Sequence, residues 1–217
     1  MSRQGAALAV ERAVQLAGTC AQSTRAGDPA AWVQSIFADA REQIAAMASV
    51  EGRDVADYAT TLAVAIMTSD VLCVGQVGDT IAVVGHEGRY ETVAPASRSE
   101  YVNETTFITE HGALEEIRIT VKPGIEVDAV FLSTDGLRFK ILGDLAACTP
   151  FTPFFEDVTE YVRSPEASTY AVRRFLAGLE DQSGDDKTLV AAVRTETPGP
   201  RERGQPERGT SGTPSAT

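Results

Sequence analysis

Three acidic residues lie beside glycine, each next to an apolar run. Asp135 lies in Phe131-Leu132-Ser133-Thr134-Asp135-Gly136-Leu137, where an apolar run ends and Gly136 allows close approach. A strand end is a rigid mount, and an acid there faces a cleft instead of the core. Asp185 lies in Ser183-Gly184-Asp185-Asp186-Lys187-Thr188-Leu189-Val190, ahead of a second apolar run. Asp79 lies in Gly75-Gln76-Val77-Gly78-Asp79-Thr80, a glycine-flanked link between apolar segments. Taken singly, each reads more readily as a turn than as a site, because Asp and Gly suit turns for purely local reasons. Taken together they are hard oxygen donors with no partnering His or Cys, a set that suits Mg²⁺ or Mn²⁺ over zinc. His86 and His111 fall in turn-like segments and read as ordinary exposed residues.

The elements that would position these acids can be followed along the chain. Gly5 to Leu16 is rich in good helix formers. A second helix begins at Asp28-Pro29, with Asp28 as cap and Pro29 at the position that needs no donor. Val33, Ile36, Phe37, Ala40, Ile44 and Met47 recur at helical spacing and predict one buried face, with Trp32 beside it. The runs Tyr58–Met67 and Val71–Val77 read as a hairpin. Further strands are expected at Ile81–Val84, Tyr90–Val93, Ile117–Val121, Ala129–Leu132 and Thr188–Val193. Ala129–Leu132 is continuously apolar, as a strand covered on both faces would be. Helices return between Phe139 and Glu180. The clearest runs from Ser164-Pro165 to Leu179, with Tyr170, Val172, Phe175, Leu176 and Leu179 as its expected buried face. Short hairpin links imply antiparallel pairing. The expected fold class is α+β, with sheets covered by helices.

Composition narrows the function classes. The chain has 217 residues, 43% of them hydrophobic, which suits one folded domain plus a tail. The domain is expected over residues 1–195. Residues 196–217 are dominated by Pro, Gly, Arg, Glu, Ser and Thr and are expected to be a disordered tail. The net charge of −12 makes nucleic acid and membrane surfaces poor partners. Cys20, Cys73 and Cys148 are odd in number and widely spaced, so they predict neither a disulfide framework nor a zinc site. Each reads as a small buried apolar residue. A reducing, cytoplasmic setting is the expectation. No stretch approaches the ~18 apolar residues of a membrane helix.

The order of the segments is more specific than any one of them. Tyr58-Ala59-Thr60-Thr61-Leu62-Ala63-Val64-Ala65, then Val74-Gly75-Gln76-Val77-Gly78-Asp79, then Leu132-Ser133-Thr134-Asp135-Gly136-Leu137, then Asp185-Asp186-Lys187-Thr188-Leu189 resembles the 2C-type, metal-dependent serine/threonine protein phosphatases (the PPM family). Glu100–Phe107 is similar to a bacterial branch. The resemblance spans roughly residues 4 to 194. It implies two packed antiparallel β-sheets flanked by helices. It implies hydrolysis of phosphoserine or phosphothreonine in proteins by a metal-activated water, with Mn²⁺ or Mg²⁺ in a binuclear centre. The implied partner is a phosphoprotein, for instance the target of a serine/threonine kinase. Asp135 and Asp185 match acids that hold the first metal. Asp79 matches an acid that, in some members, helps hold a third. Gly136 is metal-adjacent. Asp186 stands where the family usually has Asn, so it is a neighbour, not a matched ligand. Two ions ~3.5–4 Å apart would lower the pKa of a bridging water and neutralise phosphoryl charge. Asn103-Glu104 reads as an Asx-type turn, with the substrate entrance as the other reading.

One part of the pattern has no counterpart in this sequence. The family carries an Asp-Gly-x-Gly element whose Asp bridges two metals, just before a helix that starts like Gly5–Val10. Only Met1-Ser2-Arg3-Gln4 precede that helix here, and Arg3 is too close to the terminus to claim as a phosphate ligand. The expectation is therefore an N-terminally truncated domain with an incomplete metal centre, its first strands and bridging acid absent and apolar sheet faces left exposed. Two explanations stand: a chain that continues upstream, which is favoured, and a non-catalytic pseudophosphatase that binds or regulates phosphoproteins.

Overall fold

The computed structural model describes residues 1–22, 27–93, 105–179 and 184–195. Helices α1 (Ser2–Gln22) and α2 (Pro29–Glu51) lead, followed by a 3₁₀ turn at Val55–Tyr58. Strands β1 (Leu62–Met67), β2 (Val71–Val77), β3 (Ile81–His86), β4 (Arg89–Val93), β5 (Arg118–Pro123) and β6 (Ala129–Ser133) come next. A 3₁₀ turn at Asp135–Leu137 runs into the short helix α3 (Arg138–Ile141). The small pair β7 (Leu142–Asp144) and β8 (Thr149–Pro150), helices α4 (Thr152–Arg163) and α5 (Thr169–Gly178), and strand β9 (Leu189–Val193) complete the order.

Two antiparallel sheets form the centre, one ordered β1-β2-β5 and the other β4-β3-β6-β9. Period-two alternation sorts their side chains into three layers of core. Cys73 and Val77 of β2 join Val33, Ile36, Phe37 and Ile44 of α2 in the outer layer on the first sheet. Leu72 and Val74 join Ala82, Val84 and Val130 between the sheets. Val83, Ala129 and Phe131 meet Leu137, Ile141, Phe155 and Leu176 in the layer under the C-terminal helices. This is the expected helix–sheet–sheet–helix arrangement. Gly75 sets one spacing in it: a Cβ there would lie 2.1 Å from Val33 Cγ1, so only glycine lets α2 pack this close to β2. α2 is capped as expected, with the Asp28 carboxylate accepting from the Ala30 amide at 3.0 Å.

Several expectations shift. Tyr58 belongs to the 3₁₀ turn and not to β1. Its ring is fully buried and its hydroxyl donates to Glu51 at 2.6 Å, which holds the turn against the end of α2. The last long helix does not start at Ser164-Pro165. Ser164 instead closes α4, its amide donating to the Tyr161 carbonyl, and Ser168 caps α5 by accepting from Ala171. α5 is a thin outer layer. Leu176 is its buried residue, while Tyr170 and Phe175 are 74% and 50% exposed, so they do not form the expected buried face. Trp32 and Met47 are half-buried at the margin of the α2 core. Cys73 is buried, but Cys20 and Cys148 are only half-buried; all three are free thiols. On β9, Leu189, Ala191 and Val193 pack toward the helices. The alternate residue Val190 is 55% exposed and is not part of the core between the sheets. Residues 196–217, expected as a tail, lie outside the described residues.

Candidate metal centre

The three acids come from three separate crossings at one end of the sandwich. Asp79 sits in the link that carries the chain from β2 in the first sheet to β3 in the second. Gly78 before it adopts φ +104°, and a Cβ there would fall 2.2 Å from Thr61 Cγ2. Both the conformation and the space therefore demand glycine. The Thr105 hydroxyl donates to Asp79 Oδ2 at 3.2 Å. Asp135 opens the 3₁₀ turn just after β6, two residues beyond the buried Ser133. Gly136 is buried against the neighbouring segment, since a Cβ on it would lie 2.6 Å from the Asp186 carbonyl oxygen.

Asp185 is brought alongside by Thr134. The Thr134 hydroxyl donates to the Asp186 carbonyl at 2.9 Å and accepts from the Thr188 amide at 2.9 Å. The Thr134 amide donates to the Thr188 carbonyl at 3.2 Å. These bonds extend the β6–β9 ladder past its last pair, Ser133↔Leu189, and fix the segment that carries Asp185 against the β6 exit. Asp186 takes part through its backbone, and its side chain is exposed. The convergence has an electrostatic consequence. The half-buried Asp135 carboxyl is pushed above its ordinary value, first by burial and then by the charges of Asp79 and Asp185. The Gly136 amide and Arg138 oppose the shift.

A cluster of carboxylates that repel one another is stabilised by a cation, and oxygen-only donors suit a hard divalent ion. The fit is partial. Among the described residues no three His, Cys, Asp or Glu side chains stand close enough together to enclose a metal ion. The donor set therefore suits an open site centred on Asp135, not a closed cage. Asn103 and Glu104 lie outside the described residues. His111 is exposed. His86 ends β3, so it is not in the turn, and its Nδ1 is 3.3 Å from Asp128 Oδ2. It belongs to the opposite end of the second sheet, about 17 Å from the Ile81↔Ser133 pair along β3. A cavity of about 570 Å³ opens there, between residues that include His86, Tyr90, Asp128, Glu156 and Arg194, and none of the three acids lines it. Sequence reasoning missed Arg118. From β5 it donates to the Gly78 carbonyl next to Asp79, and no spacing along the chain signals that contact.

Comparison with known proteins is consistent with this architecture. The family model described as Protein phosphatase 2C matches residues 1–177. Serine/threonine-protein phosphatase 3 of Escherichia coli (strain K12) is 28% identical over 201 residues, covering 89% of this chain and 78% of that protein. The catalytic domain of the serine threonine protein phosphatase PstP, solved in complex with two manganese ions, superposes with a TM-score of 0.57 at 18% identity. That match covers 89% of this chain and 82% of the other. The Mycobacterium tuberculosis serine/threonine phosphatase PstP/Ppp gives a TM-score of 0.52 at 20% identity, covering 86% and 83%. The chain spans 66% of the length of a further bacterial serine phosphatase structure, at 17% identity and a TM-score of 0.50.

Proposed function

The chain belongs to the protein phosphatase 2C family, and from that premise we propose that it acts on phosphoserine or phosphothreonine in proteins by metal-dependent hydrolysis. The observation that carries this reading is the convergence of Asp79, Asp135 and Asp185, felt as the upward shift of the Asp135 carboxyl. Asp135 and Asp185 would hold a hard divalent cation, Mn²⁺ or Mg²⁺, with Asp79 nearby. When bound, such an ion supplies charge neutralisation for a phosphoryl group and lowers the pKa of water. The protein's own contribution is placement. Thr134 locks the two acid-bearing segments together. Gly136 keeps the backbone between them close. Partial burial of Asp135 removes water that would otherwise screen its charge.

The test is release of inorganic phosphate from a phosphothreonine peptide with Mn²⁺, with and without EDTA, for the wild-type chain and Asp135→Asn. Metal-dependent turnover lost in Asp135→Asn supports the proposal. Tight phosphopeptide binding without turnover would favour the second reading, a pseudophosphatase that binds or regulates phosphoproteins. Absence of both turnover and binding, in this chain and in one extended upstream through an Asp-Gly-x-Gly element, sinks both readings.

A further inference from the structure

Asp79 sits in a turn that is gripped from both sides. Gln76, fully buried on β2, donates from Nε2 to the Thr80 carbonyl at 3.0 Å. Arg118 on β5 donates from its guanidinium to the Gly78 carbonyl. The carbonyls held are those immediately before and after Asp79. Gln76 and Arg118 are direct partners in the β2–β5 register. Their Cβ atoms therefore lie about 5 Å apart on one face of the sheet. Gln76 Oε1 and Arg118 Nε are a buried acceptor and a buried donor, each without a hydrogen-bond partner among the described residues. The bonds the two side chains do make go to the turn. Arg118 is held there against the cost of burial, with Glu116 and Asp79 as the nearby opposite charges.

We propose that Gln76 and Arg118 are positioning residues: together they clamp the Gly78–Thr80 turn by its flanking carbonyls and so direct the Asp79 carboxylate toward Asp135. The inference rests on the reading of Asp79 as part of the metal centre. Nothing in the order of residues along the chain marks Arg118, because it reaches Asp79 only through sheet pairing across 39 positions of sequence (118 − 79).

The experiment compares wild type, Arg118→Met, Arg118→Lys, Asp79→Asn and the Arg118→Met/Asp79→Asn double variant. It uses amide hydrogen exchange of residues 78–80 and Mn²⁺ affinity by electron paramagnetic resonance. In Arg118→Met, loss of a charge-assisted bond is expected to speed exchange in the turn about ten-fold, with β3–β4 unchanged. Mn²⁺ affinity should fall several-fold in the wild-type background and not at all in the Asp79→Asn background. A merely structural role would weaken both backgrounds alike. Arg118→Lys, which keeps one donor, should restore part of the protection, and it takes the place of Arg118→Met if circular dichroism shows that variant unfolded. Unchanged exchange in the turn, or equal losses of affinity in both backgrounds, overturns the proposal. If the wild type binds no Mn²⁺, the metal reading falls by itself, and exchange in the turn alone decides the clamp.

Discussion

Replacing Asp135 with Asn should stabilise the metal-free protein and destroy its response to metal. In the folded chain the Asp135 carboxyl is pushed up by burial and by Asp79 and Asp185. A carboxyl with a raised folded pKa holds its proton more tightly folded than unfolded. Its ionisation therefore costs stability as pH rises from the unfolded value, about 3.9, through the folded one, and the cost remains at neutral pH. Asn has nearly the same volume and no charge to desolvate. The site is open to solvent on one side, so screening leaves about 0.5–1 kcal/mol. For a domain of this size that is about 1–4 °C in Tm. With Mn²⁺ at a hundred times its Kd, the wild type gains about 2.7 kcal/mol, or ~5–11 °C. Asp135→Asn gains little. The order of stability therefore reverses between EDTA and Mn²⁺, and differential scanning calorimetry at neutral pH reads both. A variant less stable than wild type in EDTA would refute the electrostatic argument. Equal Mn²⁺ shifts in the two proteins would refute Asp135 as a ligand.

Other outcomes follow from the same geometry. Gly136→Ala drives a Cβ to 2.6 Å from the Asp186 carbonyl, so it should cost about 1–3 kcal/mol in urea unfolding and weaken Mn²⁺ binding. Cys73, whose thiol burial pushes up to about 11, should resist thiol reagents at pH 8 until the protein unfolds, while Cys20 and Cys148 react in the native state; prompt modification of Cys73 would contradict its burial. The Arg12 guanidinium, 2.8 Å from Asp39, holds that carboxyl below its ordinary value. The stability it contributes is present above the unfolded pKa and is lost as pH falls through the lower folded one. Asp39→Asn should therefore lower Tm at pH 7 and leave it nearly unchanged at pH 2.

Much of the scaffold was legible along the chain because its signals are local. Asp28-Pro29 caps α2, and the periodic Val33, Ile36, Phe37, Ala40 and Ile44 are buried. The continuously apolar Ala129–Leu132 run forms a central strand of the second sheet. The failures are also local. Ser164-Pro165 offered a good helix start, but Ser168 took the cap, because Tyr161 binds both the Glu166 carbonyl and the Ser168 amide and so spaces the two helices. Tyr170 and Phe175 looked like part of a buried face, yet a helix on the outer layer covers the core with Leu176 and the half-buried Val172 and Leu179 alone among the five. Periodicity reports which residues share a face; how much of that face finds a partner depends on its neighbours.

The acids divide in the same way. Their identities, their glycines and their order are properties of the sequence, and these were enough to point to the family. That Asp135 feels Asp79 and Asp185 is a property of the fold alone. Asp79 lies in the link into β3 and Asp135 in the turn after β6, and Asp185 is brought alongside by Thr134 reaching across 54 positions to Thr188. Gln76 and Arg118 were silent for the same reason. A strand's sequence encodes which side chains alternate, but the residue opposite each one is chosen by register. Register is settled only when all the strands pack at once.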